Sequence, residues 1–130
     1  RKQQYEVRYP SNALIRAFFC PAGTGGEGNP IHPDSFLMDS YNFLTPVDEQ
    51  RTRYFWFQQR NVAPNNDDVS KRFAASVRGA FEEDKVILGA VQRGMDAKLT
   101  PNIDLRSDSG GTRFRHRLAR MIEAEQAATG

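Results

Sequence analysis

The chain has 130 residues and a mass of 14.7 kDa, the size of a single domain, and its 38% hydrophobic residues with nine Phe, four Tyr and one Trp exclude a disordered polymer. Eighteen Lys and Arg against sixteen Asp and Glu leave a net charge of only +2, interspersed rather than clustered, so nothing points to nucleic acid or an anionic membrane as partner. No apolar run approaches the roughly 18–20 residues that span a bilayer, and the lone Cys20 closes no intrachain disulfide and excludes a Cys-ligated zinc or iron–sulfur site within this chain, which favours a reducing, cytoplasmic setting.

The first half carries strand signals. Tyr5 to Tyr9 alternates with period two and is punctuated by Pro10-Ser11-Asn12. Ala13 to Phe19 follows, closed by Cys20-Pro21. The Gly-rich stretch Gly23 to Pro30 has too much backbone freedom for regular structure and is expected as a mobile hairpin loop. Phe36 to Leu44 and Thr52 to Gln59 are the next two strands, joined by the polar turn Thr45 to Gln50. Short links of this kind imply an antiparallel meander over residues 5–59, because parallel pairing needs crossovers of about a dozen residues or more.

Past Pro64 the period becomes helical. Asn65-Asn66-Asp67-Asp68 offers an N-cap and negative charge at the positive end of a helix dipole. Phe73, Val77, Ala80, Phe81, Ile87, Leu88, Val91 and Met95 form one apolar stripe on a long helix, expected over residues 66–95. Asp96 to Gly111 is expected as loop. A second helix is expected over 112–128, with Phe114, Leu118, Met121 and Ile122 on its buried side. No linker is long enough to divide the chain.

Asp84 is the most informative position. At about 100° per residue it lies about 20° from Phe73, in the middle of the stripe, whereas Glu82 and Glu83 point away. A carboxylate facing a core costs several kcal/mol unless it is paired or bound to metal. Its alternatives are a buried salt bridge to an Arg, a ligand or catalytic role, or a helical register different from the one drawn here. His32 lies in the turn Pro30-Ile31-His32-Pro33 and His116 among the cations of Arg113 to Arg117; both are expected to be exposed rather than metal ligands. The Arg-rich run is a solvated helix face. Gly23 to Gly26 lacks the Lys-Ser/Thr of a phosphate loop, and Cys20 has no His partner nearby in sequence. In Tyr54-Phe55-Trp56-Phe57 alternate pairs face opposite sides of a strand, and spacing leaves open which pair lines a pocket.

Three stretches together resemble a known family. Leu44-Thr45-Pro46 followed by Arg53-Tyr54-Phe55-Trp56, then Phe81-Glu82-Glu83-Asp84-Lys85-Val86-Ile87-Leu88, then an Arg-rich terminal helix, are similar to the C-terminal part of Rieske-type non-haem iron oxygenases of the vanillate O-demethylase and dicamba monooxygenase branch. The resemblance is densest from Phe43 to Gln92. It implies an α+β fold, an antiparallel sheet packed on a long C-terminal helix within a helix-grip (START/Bet v 1-like) catalytic domain. It implies that Asp84 is the carboxylate of the two-His, one-carboxylate iron site, and that Asn42, Tyr54, Trp56 and Ala75 belong to the substrate pocket. Ala75 falls where some relatives carry a large aromatic.

The resemblance also implies Fe(II) as cofactor with two His ligands missing from this chain, and a [2Fe-2S] cluster in a Rieske domain that residues 1–130 do not contain. The parent would hydroxylate or O-demethylate an aromatic compound with O2 and electrons from an NAD(P)H-dependent reductase or ferredoxin, as a homotrimer, with no nucleic-acid or membrane partner. The chain opens at Arg1 without an initiator Met and is expected to be a C-terminal fragment that binds iron weakly and turns over nothing. The rival from another class is a non-catalytic helix-grip module that holds a lipid or small apolar ligand. A structural interaction domain, with Asp84 paired to an Arg, is the third.

Overall fold

The computed structural model describes residues 1–26, 28–98, 103 and 105–129. Four strands, β1 (Lys2–Arg8), β2 (Asn12–Phe19), β3 (Phe36–Pro46) and β4 (Thr52–Arg60), precede α1 (Asp67–Asp96), a single 3-10 turn at Arg106–Asp108, and α2 (Ser109–Thr129). The strands form one sheet in the order β1-β2-β3-β4, antiparallel at every pairing. The fold class is therefore α+β with the expected meander. The chain forms two compact units: one holds the residues up to Pro64 together with α2 from Leu118 onward, and the other spans Asn65–Arg117.

The sheet is built by local rules. β-branched and aromatic residues populate the strands, and β3, paired on both sides, is the longest at 11 residues. Its start is secured by Asn61, whose Oδ1 accepts from the Leu37 N–H at 2.8 Å and whose Nδ2 donates to the Ser35 carbonyl at 2.9 Å. The β3–β4 hairpin closes on Asp48. Its Oδ1 accepts from the Gln50 and Arg51 N–H groups at 3.0 and 2.8 Å, and its Oδ2 accepts from Arg51 Nε at 2.6 Å. The Arg51 guanidinium, with the Gln50 N–H next, holds the Asp48 carboxyl below its ordinary range.

The Gly-rich segment between β2 and β3 is a loop made of turns. Thr24 N–H donates to the Pro21 carbonyl at 3.1 Å and Asn29 N–H to the Gly26 carbonyl at 3.0 Å; Glu27 lies outside the described residues. Gly25 has φ +64°, and a Cβ there would overlap the Cys20 side chain, so this position needs glycine for both conformation and space.

α1 starts where the sequence places it. Asn66 Oδ1 accepts from the Val69 N–H at 3.0 Å, with Asp67 and Asp68 in the first turn. Two expectations about the helices are corrected. The segment Asp96 to Gly111 is not wholly loop. The Leu105 N–H donates to Asp108 Oδ2 at 2.9 Å and Thr112 Oγ1 donates to the Asp108 carbonyl at 3.2 Å, and this local bonding carries Ser109-Gly110-Gly111 into α2 despite the glycines; residues 99–102 and 104 lie outside the described set. The second correction concerns burial. Neither helix has a buried residue among those described. Phe73, Val77 and Phe81 are half-buried, but Ile87, Leu88, Val91 and Met95 are between 51% and 66% exposed. In α2, Phe114 and Leu118 are half-buried while Met121 and Ile122 are exposed. An apolar period records which face a helix turns from water in its working assembly; it does not say that the covering surface lies in the same stretch of chain.

Candidate functional site

β3 and β4 bring three of the five expected site residues to one face of the sheet. Antiparallel register sets Asn42 opposite Trp56, Leu44 opposite Tyr54 and Ser40 opposite Gln58. Side chains alternate along a strand, so Ser40, Asn42 and Leu44 share a face with Tyr54, Trp56 and Gln58. Across β2 the same face continues through Ala13, Ile15 and Ala17, paired with Asn42, Ser40 and Met38. Ala17 is 2% exposed and Leu14, on the opposite face, 5%.

Asn42 is the polar centre of that face. It is only 5% exposed. Its Nδ2 donates to the Ala13 carbonyl at 3.3 Å and to the Ser40 carbonyl at 3.2 Å, and its Oδ1 accepts from the Tyr54 hydroxyl at 2.5 Å. Gln58 Nε2 donates to Ser40 Oγ at 3.4 Å beside it. Ser40, itself buried, and Gln58 were not singled out in the sequence. Their signal was available: Ser40 and Asn42 are two polar residues at period two in a strand otherwise rich in Tyr, Phe, Leu and Met. A surface combining aromatic planes with a few fixed polar atoms suits a flat organic ligand held by a polar handle.

The opposite face combines an aromatic stack with the Arg16–Asp39 ion pair, 3.7 Å apart. Phe57 stacks on Tyr41 with ring centroids 4.5 Å apart and on Phe43 at 6.0 Å, and Phe43 pairs with Phe55. Of the strand Tyr54-Phe55-Trp56-Phe57, Tyr54 and Trp56 share the face with Asn42, while Phe55 and Phe57 lie on the other face, where Phe57 forms the stack with Tyr41 and Phe43. An open groove lined by Gln4, Tyr5, Glu6, Leu14 and Arg16 lies over β1 and β2 and contains none of the expected site residues.

Ala75 and Asp84 lie in α1, in the other unit. Asp84 is exposed, and among the described residues its carboxylate has no ion pair or hydrogen bond; the neighbouring Glu82 meets Lys85 at 3.8 Å. The inward-facing carboxylate expected from periodicity is therefore corrected within this chain. The stripe around Asp84 is itself exposed, so the carboxylate pays no desolvation cost here. The salt bridge to an Arg is not formed among the described residues either. As a donor set, Asp84 offers one unpaired hard oxygen ligand, and no group of three His, Cys, Asp or Glu among the described residues is placed to hold a metal ion. One donor does not make an iron site. His116 is exposed as expected, whereas His32 is half-buried, with its Nδ1 accepting from the Asp34 N–H at 3.2 Å. No helix of the described residues is long and apolar enough to cross a membrane.

The family model described as the vanillate O-demethylase oxygenase C-terminal domain matches residues 1–124. The chain belongs to that family. Among its relatives are vanillate O-demethylase oxygenase subunits from two Pseudomonas strains, 31% and 30% identical over 122 residues, covering 92% of this chain and 36% and 34% of theirs. A toluene-4-sulfonate monooxygenase system iron-sulfur subunit from Comamonas testosteroni is 25% identical over 130 residues, 99% of this chain and 38% of that one. The chain thus spans little more than a third of the length of these curated relatives. No solved structure gives a significant match. The vanillate O-demethylase C-terminal domain is the branch that the motifs around Tyr54 and Asp84 resemble, and its presence here identifies an oxygenase C-terminal domain.

Proposed function

We propose that residues 1–130 form the C-terminal portion of the helix-grip catalytic domain of a Rieske-type oxygenase. The parent protein would hydroxylate or O-demethylate an aromatic compound, using O2 and electrons from an NAD(P)H-dependent reductase or ferredoxin. The observation that carries this reading is the family match over almost the whole chain, and two features of the fold support it. Asn42, Tyr54 and Trp56 share a sheet face of aromatic planes with fixed polar atoms. α1 presents an apolar stripe that needs a covering surface, as a helix gripped inside a larger domain would.

In this reading Asp84 is one ligand of a mononuclear Fe(II), the two histidine ligands and the [2Fe-2S] cluster come from outside this chain, and the parent assembles as a cytoplasmic homotrimer. The iron supplies activation of O2. The residues present here have simpler tasks: Asp84 contributes charge and one oxygen donor, Tyr54 and Trp56 form a wall for the ring of the substrate, and Asn42 fixes Tyr54 in place. Ala75 is the small residue on α1 that the reading assigns to the substrate pocket.

The test uses the intact protein with its reductase, NAD(P)H, O2 and a panel of methoxylated benzoates. The reading predicts formaldehyde release coupled to NAD(P)H oxidation, or 18O from 18O2 in a ring-hydroxylated product. An intact protein that binds these aromatics but consumes no O2 with any of them, under conditions where the reductase is active, would contradict it.

A further inference from the structure

We infer that Gln58 is the polar contact between this sheet face and the ligand, that Ser40 positions it, and that the site therefore favours an aromatic ligand bearing a neutral planar group with both a donor and an acceptor, as an aryl carboxamide does. The inference rests on the proposed reading of that face as a substrate wall.

The polar atoms of the face divide into those already committed and those still open. Asn42 is 5% exposed. Its Nδ2 donates to the backbone carbonyls of Ala13 and Ser40, and its Oδ1 accepts from the Tyr54 hydroxyl. Ser40 is 6% exposed, and its Oγ accepts from Gln58 Nε2 at 3.4 Å. Both residues are withdrawn from the surface that a ligand meets. Gln58 stands opposite Ser40 in the register and is only half-buried. Among the described residues its side chain makes that one hydrogen bond and no other. A primary amide has two N–H donors and two lone pairs on its oxygen, so one N–H and the whole of Oε1 are left over. At 3.4 Å the bond to Ser40 is long, and it orients the amide without satisfying it. Gln58 follows Trp56 by two residues on the same face, which places the amide at the border of the aromatic wall. A ring lying on that wall would bring its substituent to Gln58. The leftover N–H and carbonyl oxygen belong to one planar group, and the ligand group that satisfies both is itself planar, with an acceptor and a donor. A substituent that only accepts would close over Oε1 and leave it without a donor, which costs affinity. Ser40 is thus a positioning residue and Gln58 the contact that sets specificity.

The test measures binding to the intact protein by calorimetry with benzamide, acetophenone and toluene. Benzamide and acetophenone are nearly equal in size and share the carbonyl acceptor, but only benzamide carries N–H donors. The ratio of benzamide to acetophenone affinity is expected to fall about 2- to 10-fold from wild type to Gln58→Met, the range of one net hydrogen bond, while toluene binding is retained. If Gln58→Met does not fold, Gln58→Val, whose branched side chain suits a strand, takes its place with the same expectation. Ser40→Ala removes the tether but keeps the amide, and should lower the ratio by a smaller factor. A wild-type ratio in the folded Gln58 variant overturns this inference alone, and a wild-type ratio in Ser40→Ala overturns the positioning role of Ser40. Failure of wild type to bind any of the three compounds overturns the inference together with the substrate-wall reading.

Discussion

Asn42→Ala tests the internal logic of the sheet face. The substitution removes an amide that is 5% exposed and three hydrogen bonds, at 3.3, 3.2 and 2.5 Å. A net hydrogen bond contributes about 0.5–1.5 kcal/mol. The two bonds to carbonyls are long and belong at the low end, and Tyr54, being 42% exposed, recovers water when its partner is lost. The three together come to about 2 kcal/mol, and the void left in a buried position raises the expected loss to about 2–3 kcal/mol. Tyr54→Phe, which removes the bond to Asn42 from a half-open side chain, should cost about 0.5–1 kcal/mol. Because the two residues share a bond, the double variant should lose about 0.5–1 kcal/mol less than the sum of the singles. Urea denaturation of the three variants against wild type measures all of this. A loss below about 1 kcal/mol for Asn42→Ala, or strict additivity in the double variant, would refute the argument that the amide organises this face.

Three further predictions concern the framework. Gly25→Ala should destabilise by about 2–3 kcal/mol and Gly23→Ala by about 1 kcal/mol, because both have positive φ but only Gly25 would bring a Cβ against Cys20; equal losses in thermal denaturation would contradict the contact. Asn66→Ala should cost about 1 kcal/mol through loss of the cap on the Val69 N–H, read from the same melts, and no change would show that α1 is capped otherwise. The Asp48 carboxyl is held below its usual range by Arg51. A depressed carboxyl contributes stability above its unfolded pKa and loses it as pH falls through the folded value. The amide resonances of Gln50 and Arg51 should therefore titrate together in acid with a midpoint under the ordinary aspartate value, and this step should vanish in Asp48→Asn; a midpoint at or above the ordinary value would contradict the hairpin closure.

Much of the secondary structure was legible because its signals are local. Period two in Tyr5 to Tyr9 and the proline after it, the Asn66 cap and the uninterrupted run after Val69 each act within a few residues, and the strands and α1 follow them closely. The antiparallel order was legible from the short links. Asn42, Tyr54 and Trp56 meeting on one face follows from register, once β3 and β4 are paired. What could not be read from the chain was long-range. Asn61 fastening the start of β3 depends on a contact 24 residues away, and Ser109 to Gly111 became helical through bonds to Asp108 that outweigh two glycines. The exposure of Ile87, Leu88, Val91 and Met95 was the larger surprise, and it has the same origin: periodicity describes a helix's own faces, and burial depends on what lies opposite. Asp84 shares that fate, since its place in the stripe was correct and its burial was not.

The claim on which the functional account turns is that Asp84 holds iron in the intact protein, and metal analysis of that protein tests it most directly. A subunit with one [2Fe-2S] cluster and one mononuclear site contains about three iron atoms. Asp84→Ala should lower this to about two with the cluster's visible absorption unchanged, while Asp96→Ala, near the end of the same helix, should leave it at the wild-type value. Wild-type iron content in Asp84→Ala would contradict the assignment.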